Sequence, residues 1–198
     1  AYLTIDDGPT RLTPAMIDYL NKKGITPIMF FVGNRFKENY EEAIYALQKG
    51  AIVGNHSFSH PSFSKISYDQ GIHEIEQQEV LLEQLYQDAK VERQYKLFRF
   101  PYGDRGGTNE MKFQNYLQSR SFNRVDDRKS EFDWYLHYGF SKNVDVFWTF
   151  DFCDYQLRNN SGFTMENIFA KIHNNKPETG AVLLEENSNH IVLMHDHE

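Results

Sequence analysis

Two histidines, His56 and His60, stand four residues apart in Asn55-His56-Ser57-Phe58-Ser59-His60-Pro61, with nothing ionisable between them. On a helical turn that spacing sets both imidazoles on one face, which suits two ligands of a single metal ion. A centre that activates water takes a third protein ligand, often a carboxylate, and keeps one position open. The chain offers a carboxylate pair, Asp6-Asp7, directly before the turn signal Gly8-Pro9. Neighbours on a strand point to opposite faces, but at a strand end that enters a turn both can swing toward one place. The spacing leaves open which aspartate would ligate a metal and which would act as general base on the activated water. Arg99 could hold that base ionised, because an adjacent cation lowers a carboxylate pKa. His195 suits a general acid, and Asp154 could raise its pKa and fix its orientation. The single cysteine, Cys153, reads as a small buried hydrophobe, since a thiol beside such a centre would compete as a ligand. His73, His137, His173, His190 and His197 read as ordinary surface, packing or terminal residues.

The elements that would position these groups can be read from periodicity and turn chemistry. Tyr2–Ile5 is a β-prone run. Thr13-Pro14 reads as an N-cap and first helical residue, followed by an apolar face at Met16, Ile17 and Leu20 and a stop at Gly24. The near-continuous apolar run 26–32 predicts a strand buried on both faces. Tyr40, Ala43, Ile44 and Leu47 keep helical spacing up to Gly50, and 51–53 is a short strand leading into the histidines. Ser67-Tyr68-Asp69-Gln70 has the form of a capping box and opens a long helix. Further strands are predicted over 96–100, 122–125, 144–150 and 191–194, and helices over 109–117, 132–138 and from Thr164 onward. This alternation predicts an α/β fold with parallel strands. Asp6-Asp7, His56, Arg99, Asp154 and His195 all follow a predicted strand closely. In parallel α/β barrels the loops after the strands share one face, so residues distant in sequence would converge there.

The chain has 198 residues, 40% hydrophobic and 25% charged, which predicts one domain over 1–198 around one core. A formal charge of −7 argues against a nucleic-acid partner, which would need a basic footprint. No apolar run reaches the length of a membrane span, so no membrane insertion is expected. No signal peptide is visible, and the chain reads as a strand almost from its first residue, as a processed N-terminus would. Oligomeric state is not readable.

Five segments, in order, resemble the polysaccharide deacetylase family with the NodB homology domain (carbohydrate esterase family 4). They are Thr4-Ile5-Asp6-Asp7-Gly8-Pro9, with Ile in place of a more usual Phe; His56-Ser57-Phe58-Ser59-His60; Arg99-Phe100-Pro101-Tyr102-Gly103; Asp151-Phe152-Cys153-Asp154-Tyr155, with Tyr in place of a more usual Trp; and Leu193-Met194-His195. The resemblance implies a distorted (β/α) barrel with fewer than eight strands. It implies a metal-dependent hydrolase that removes acetyl groups from a polysaccharide, foremost the N-acetyl groups of peptidoglycan or chitin oligomers. O-acetyl esters of xylan, a small amide, and a catalytically silent glycan-binding role are the alternatives. It further implies Asp7, His56 and His60 as ligands of one divalent ion, zinc before cobalt or another ion. Asp6 would be the base, oriented by Arg99, and His195 the acid, tuned by Asp154. The Tyr102 N–H would bind the oxyanion, and Leu193, Pro101 and Tyr155 would shape the substrate pocket. An acetylated glycan as substrate implies a secreted or cell-envelope location.

Overall fold

The structure, a computed structural model, describes residues 1–127, 129–130, 132–158 and 162–197. Five parallel strands, β1 (Tyr2–Asp6), β2 (Ile28–Phe31), β3 (Ile52–Asn55), β4 (Phe150–Asp151) and β5 (Ile191–His195), form one sheet in the order β3-β2-β1-β5-β4. β2 is buried at every position, as its unbroken apolar run requires of a strand covered on both faces.

Helices α1 (Thr13–Lys22), α2 (Phe36–Gln48) and α3 (Tyr68–Ala89) pack on the outer face of this sheet. Ile17 and Leu20 of α1, Ala43 and Leu47 of α2, and Leu82 and Leu85 of α3 meet Ile5, Met29, Phe31 and Val53 there. The capping box at the start of α3 forms as the sequence predicts. Ser67 Oγ accepts from the Gln70 N–H at 3.2 Å, and Gln70 Oε1 accepts from the Ser67 N–H at 2.9 Å. At α1, however, Thr13 is the first helical residue and Leu12 occupies the cap position. The Thr13 hydroxyl has other work: it accepts from the Thr10 N–H and donates to the buried Asp196.

The expected strand 96–100 shrinks to an isolated bridge, and of the expected strand 144–150 only the end survives, as β4. Leu97–Arg99 runs beside β3, with the Asn55 N–H donating to the Leu97 carbonyl at 2.9 Å and the Arg99 N–H to the Asn55 carbonyl at 3.0 Å. The Val146 N–H donates to the Phe98 carbonyl and the Thr149 N–H to the Ile191 carbonyl, both at 2.8 Å. The segment 146–151 thus bridges the two edges of an open ladder, and a sequence pattern cannot distinguish one such contact from a full strand. The expected strand 122–125 is irregular as well. Inside the ring lie Ile28, Phe30, Leu97, Val146 and Ile191. A third cluster, dominated by Phe63, Phe98, Phe100 and Phe113, packs α4 (Glu110–Ser119) against α3. Gly71 of α3 makes that packing possible, since a Cβ there would lie 2.6 Å from the Phe113 ring. Two short helices, α5 (Asp133–His137) and α6 (Met165–Ile172), follow α4 along the chain.

Candidate active site

Strand register does the first part of the assembly. Asp6 is level with Phe30 on one side and with His195 on the other, and Leu193 is level with both Thr4 and Asp151. All these strands end at one rim of the sheet, where the following loops enclose a cleft of about 580 Å³. Asp6, Asp7, His56, His60, Tyr102 and His195 line it, with Leu193 and Tyr155. Arg35, Trp148, Asp151, Arg158 and His197 complete the wall.

Asp6 ends β1, and Asp7 takes a left-handed backbone conformation (φ 70°). Asp tolerates that region better than most residues. The reversal brings both carboxylates to the same imidazole: His56 Nε2 is 3.5 Å from Asp6 Oδ2 and 3.5 Å from Asp7 Oδ1. The turn has no room for a larger residue at position 8, where a Cβ would lie 2.7 Å from Phe31 and 2.8 Å from Asp196.

The histidine pair is not on a helical turn. Ser57 and His60 both adopt positive φ, 64° and 62°, in a loop after β3. Side chains brace this loop: Asn55 Oδ1 accepts from the Ser57 N–H at 2.8 Å, and Ser57 Oγ accepts from the His60 N–H at 3.0 Å. The rings nevertheless meet edge-on, with centroids 4.9 Å apart. His56 Nδ1 is held by the Arg99 carbonyl at 2.8 Å, which leaves Nε2 turned to the cleft.

One ligand atom each from Asp7, His56 and His60 lies within 4.8 Å of the others. His60 Nε2 is buried and has no hydrogen-bond partner among the described residues, although Asp7 Oδ1 is only 3.1 Å away. An orphaned imidazole nitrogen facing a carboxylate oxygen is the arrangement a divalent cation would satisfy, and two imidazoles with one carboxylate form a donor set suited to zinc. Burial pushes the Asp7 carboxyl up, but the two imidazoles more than reverse this and hold it well below the usual carboxylate range.

Arg99 is 1% exposed and sits beneath Asp6. Its Nη1 donates to Asp6 Oδ1 and to Thr4 Oγ1, and its Nε donates to the Val146 carbonyl, each at 2.8 Å. Its guanidinium also lies 4.5 Å from the Phe30 ring centroid. Across the cleft, Asp154 grips His195 twice: Oδ2 accepts from the His195 N–H at 3.1 Å, and Oδ1 lies 3.0 Å from Nδ1. Burial lowers the His195 pKa, but the bond to Asp154 and the charges of Asp6, Asp154 and Asp7 outweigh it, and the net shift is upward. Asp151, Asp154 and His195 form a second cluster of possible ligands. There, however, His195 Nδ1 is already engaged by Asp154.

Tyr102 has φ 59° and is 70% exposed, its ring centroid lies 4.5 Å from that of His60, and its N–H meets no acceptor among the described residues. Tyr155 packs edge-on against His195 at 5.1 Å. Pro101 departs from its expected place: it is buried under this turn and forms no part of the cleft wall. His197, expected to be an ordinary terminal residue, instead stacks parallel on His195 at 5.2 Å, with Nε2 3.7 Å from Asp7 Oδ2. Burial takes its pKa down to about 4. Cys153 is half-buried, not buried; burial pushes its thiol up, and the Lys171 ammonium lies 3.1 Å from the sulfur. Arg35 and Arg158 went unnoticed in the sequence. Arg35 had a usable signal, because it follows the apolar run of β2 just as His56 follows β3.

Fold and site together define a parallel α/β-barrel protein with a polar cleft at the carboxyl ends of its strands. Residues 1–117 match the family model for polysaccharide deacetylases, and the chain belongs to that family. A peptidoglycan-N-acetylglucosamine deacetylase of Bacillus cereus is 30% identical over 103 residues, which is 52% of this chain and 36% of the relative. The chain therefore matches little more than a third of that relative's length. A family 4 carbohydrate esterase from Streptomyces lividans, solved with acetate, shares the fold with TM-score 0.65 at 22% identity, over 98% of this chain and 78% of that one. A protein described as a pseudoenzyme of the same carbohydrate esterase family gives TM-score 0.66 at 20% identity, over 98% of this chain and 55% of that one. Among the described residues, no helix is long and apolar enough to cross a membrane.

Proposed function

We propose that this chain is the catalytic domain of a metal-dependent hydrolase that removes acetyl groups from a polysaccharide, foremost N-acetyl groups of glycans containing N-acetylglucosamine. One observation carries the reading. The orphaned His60 Nε2, with His56 and Asp7, forms a cation-ready set beside a second carboxylate, Asp6, that Arg99 holds in place.

Asp7, His56 and His60 would hold the cation, zinc in the first place. Such an ion supplies an acidified water and a polarised acetyl carbonyl. The residues of the chain do the rest. Asp6 takes the proton of the attacking water, and Arg99, paired with that carboxylate, keeps it aimed. The unengaged Tyr102 N–H meets the oxyanion of the tetrahedral intermediate, a contribution of about 3–4 kcal/mol for one such donor. His195 gives a proton to the departing amine, and Asp154 sets its orientation. Leu193 offers an apolar seat for the acetyl methyl, and Tyr155 walls the site. A glycan substrate of this kind places the protein outside the cytoplasm, secreted or in the cell envelope.

The test is acetate release from N-acetylglucosamine oligomers, peptidoglycan and acetylxylan, with chelator and after adding zinc back. Release that chelator removes and zinc restores is expected. No release from any glycan by zinc-loaded protein would overturn the reading in favour of a silent binding module or a small-amide hydrolase.

A further inference from the structure

One imidazole on the cleft wall has no part in the chemistry above. His197 lines the cleft, and both of its ring nitrogens are buried without a hydrogen-bond partner among the described residues. A buried polar group left idle carries the full cost of its desolvation, so an imidazole idle at both nitrogens calls for a reason. Its place in the fold is well secured. The β1–β5 ladder runs one bond past His195, because the Asp196 N–H donates to the Asp6 carbonyl at 2.8 Å. The Asp196 carboxylate is itself buried and accepts from the hydroxyls of Thr10 and Thr13. Residue 196 is thus held by main chain and side chain alike. Alternate residues along a strand share a face, so His195 and His197 project to the same side.

There the His197 ring lies parallel to the His195 ring, with 2° between the planes and 5.2 Å between the centroids. Its Nε2 lies 3.7 Å from Asp7 Oδ2. The two oxygens of Asp7 therefore divide their neighbours. Oδ1 faces His60 Nε2 at 3.1 Å and His56 Nε2 at 3.5 Å, whereas Oδ2 faces His197. His197 is not one of the three residues whose ligand atoms all lie within 4.8 Å of one another, so it stands beside the cation set and not in it. A carboxylate that ligates a metal is itself held by hydrogen bonds, and loss of such a partner typically costs about 10–100-fold in metal affinity or activity. Asp6 and His195 each have a charged partner behind them, Arg99 and Asp154, and His197 supplies the counterpart for Asp7.

We infer that His197 is a positioning residue that holds the outer oxygen of Asp7 through its Nε2–H and the ring of His195 through its face, so that one side chain sets the metal-facing carboxylate and the general acid together. This rests on the proposed metal-dependent hydrolase reading and adds a residue to it.

Three variants of the full chain separate the two contacts. H197Q keeps an N–H donor near the place of Nε2 and loses the ring, H197F keeps a ring and loses the donor, and H197A loses both. Zinc affinity is measured by calorimetry, kcat on N-acetylglucosamine oligomers at saturating zinc, and the fold by thermal unfolding of the metal-free proteins. H197F and H197A are expected to bind zinc about tenfold or more weakly than the parent, and H197Q to bind it with close to the parent's affinity. At saturating zinc, H197Q and H197A should lose about tenfold in kcat, and H197F less than either. An H197F protein that binds zinc as tightly as the parent would overturn the inference. So would an equal loss of zinc affinity in all three variants with a lowered metal-free Tm, which would make His197 a packing residue only. Loss of zinc in H197Q to the extent seen in H197A, with altered d–d bands in the cobalt-loaded protein, would make His197 a ligand and overturn the positioning role. The zinc comparison needs no turnover. Absence of acetate release from every glycan would remove the hydrolase reading, while the zinc affinities would still decide the contact to Asp7.

Discussion

Asp6 and His195 are register partners on adjacent parallel strands, β1 and β5. The two groups assigned to proton transfer therefore stand side by side on rigid elements, and each is fixed from behind by a charged partner. Arg99 holds Asp6, and Asp154 holds His195. A reacting bond placed over this pair would meet a base and an acid whose positions the sheet itself sets.

Replacing Asp6 with Asn should separate chemistry from metal binding. D6N is expected to lose about 10²–10⁴ in kcat, the range for a general base, and to bind zinc as before. H56A should lose both. Calorimetric zinc titration alongside acetate release checks this; a D6N protein with full activity would refute the base assignment.

The raised pKa of His195 has a signed consequence. A general acid must be protonated, so activity should persist above the ordinary histidine value of 6.5 and fall as pH rises through the elevated one. D154N removes the main group raising that pKa and should move the alkaline limb of kcat to lower pH. The stability supplied by the same pair is fully present below pH 6.5 and lost as pH rises through the folded-state value. An alkaline limb that D154N does not move would assign it to another group.

Arg99 should matter for folding as much as for turnover. R99A leaves Asp6 buried without its counter-charge, a loss of about 3–5 kcal/mol. R99K cannot reproduce the separate Nε and Nη1 contacts to Val146, Thr4 and Asp6. Urea unfolding of both variants measures the two effects, and a fully stable R99A would refute this account.

Asn55 is a positioning residue. Its Oδ1 holds the Ser57 N–H, and its Nδ2 donates to the Ile75 carbonyl at 3.0 Å and to Glu79 at 2.8 Å. N55A should lower stability by about 1–3 kcal/mol and weaken zinc binding through the loop that carries His56 and His60. An unchanged zinc affinity with reduced stability would limit Asn55 to a structural role.

Zinc itself should stabilise the fold. At a hundredfold excess over its dissociation constant it adds about 2.7 kcal/mol. Thermal unfolding with and without chelator reads this directly, and D6N should respond as the parent does, whereas H56A should not respond.

The sequence alone determined the chemical inventory and its order along the chain. Strand-end placement of Asp6-Asp7, His56, Arg99, Asp154 and His195 was legible because apolar runs and turn residues are local signals, and parallel strands bring such ends to one rim. The α1–α4 helices were legible for the same reason, apart from boundaries such as the start of α1. Only the tertiary structure decided how the groups face one another. The left-handed turn at Asp7, which depends on the space left by Gly8, puts both aspartates against one imidazole. The histidines meet in a braced loop, since four-residue spacing does not specify a helix. The run 96–100 pairs only as an isolated bridge and 144–150 only at its end, as β4, because pairing depends on a distant partner, not on local pattern. His197 and Arg158 acquired their places at the cleft in the same way: nothing in their own neighbourhood marks them, and only the packing of β5 and the Asp154 turn brings them there, whereas Arg35 at least follows the apolar run of β2.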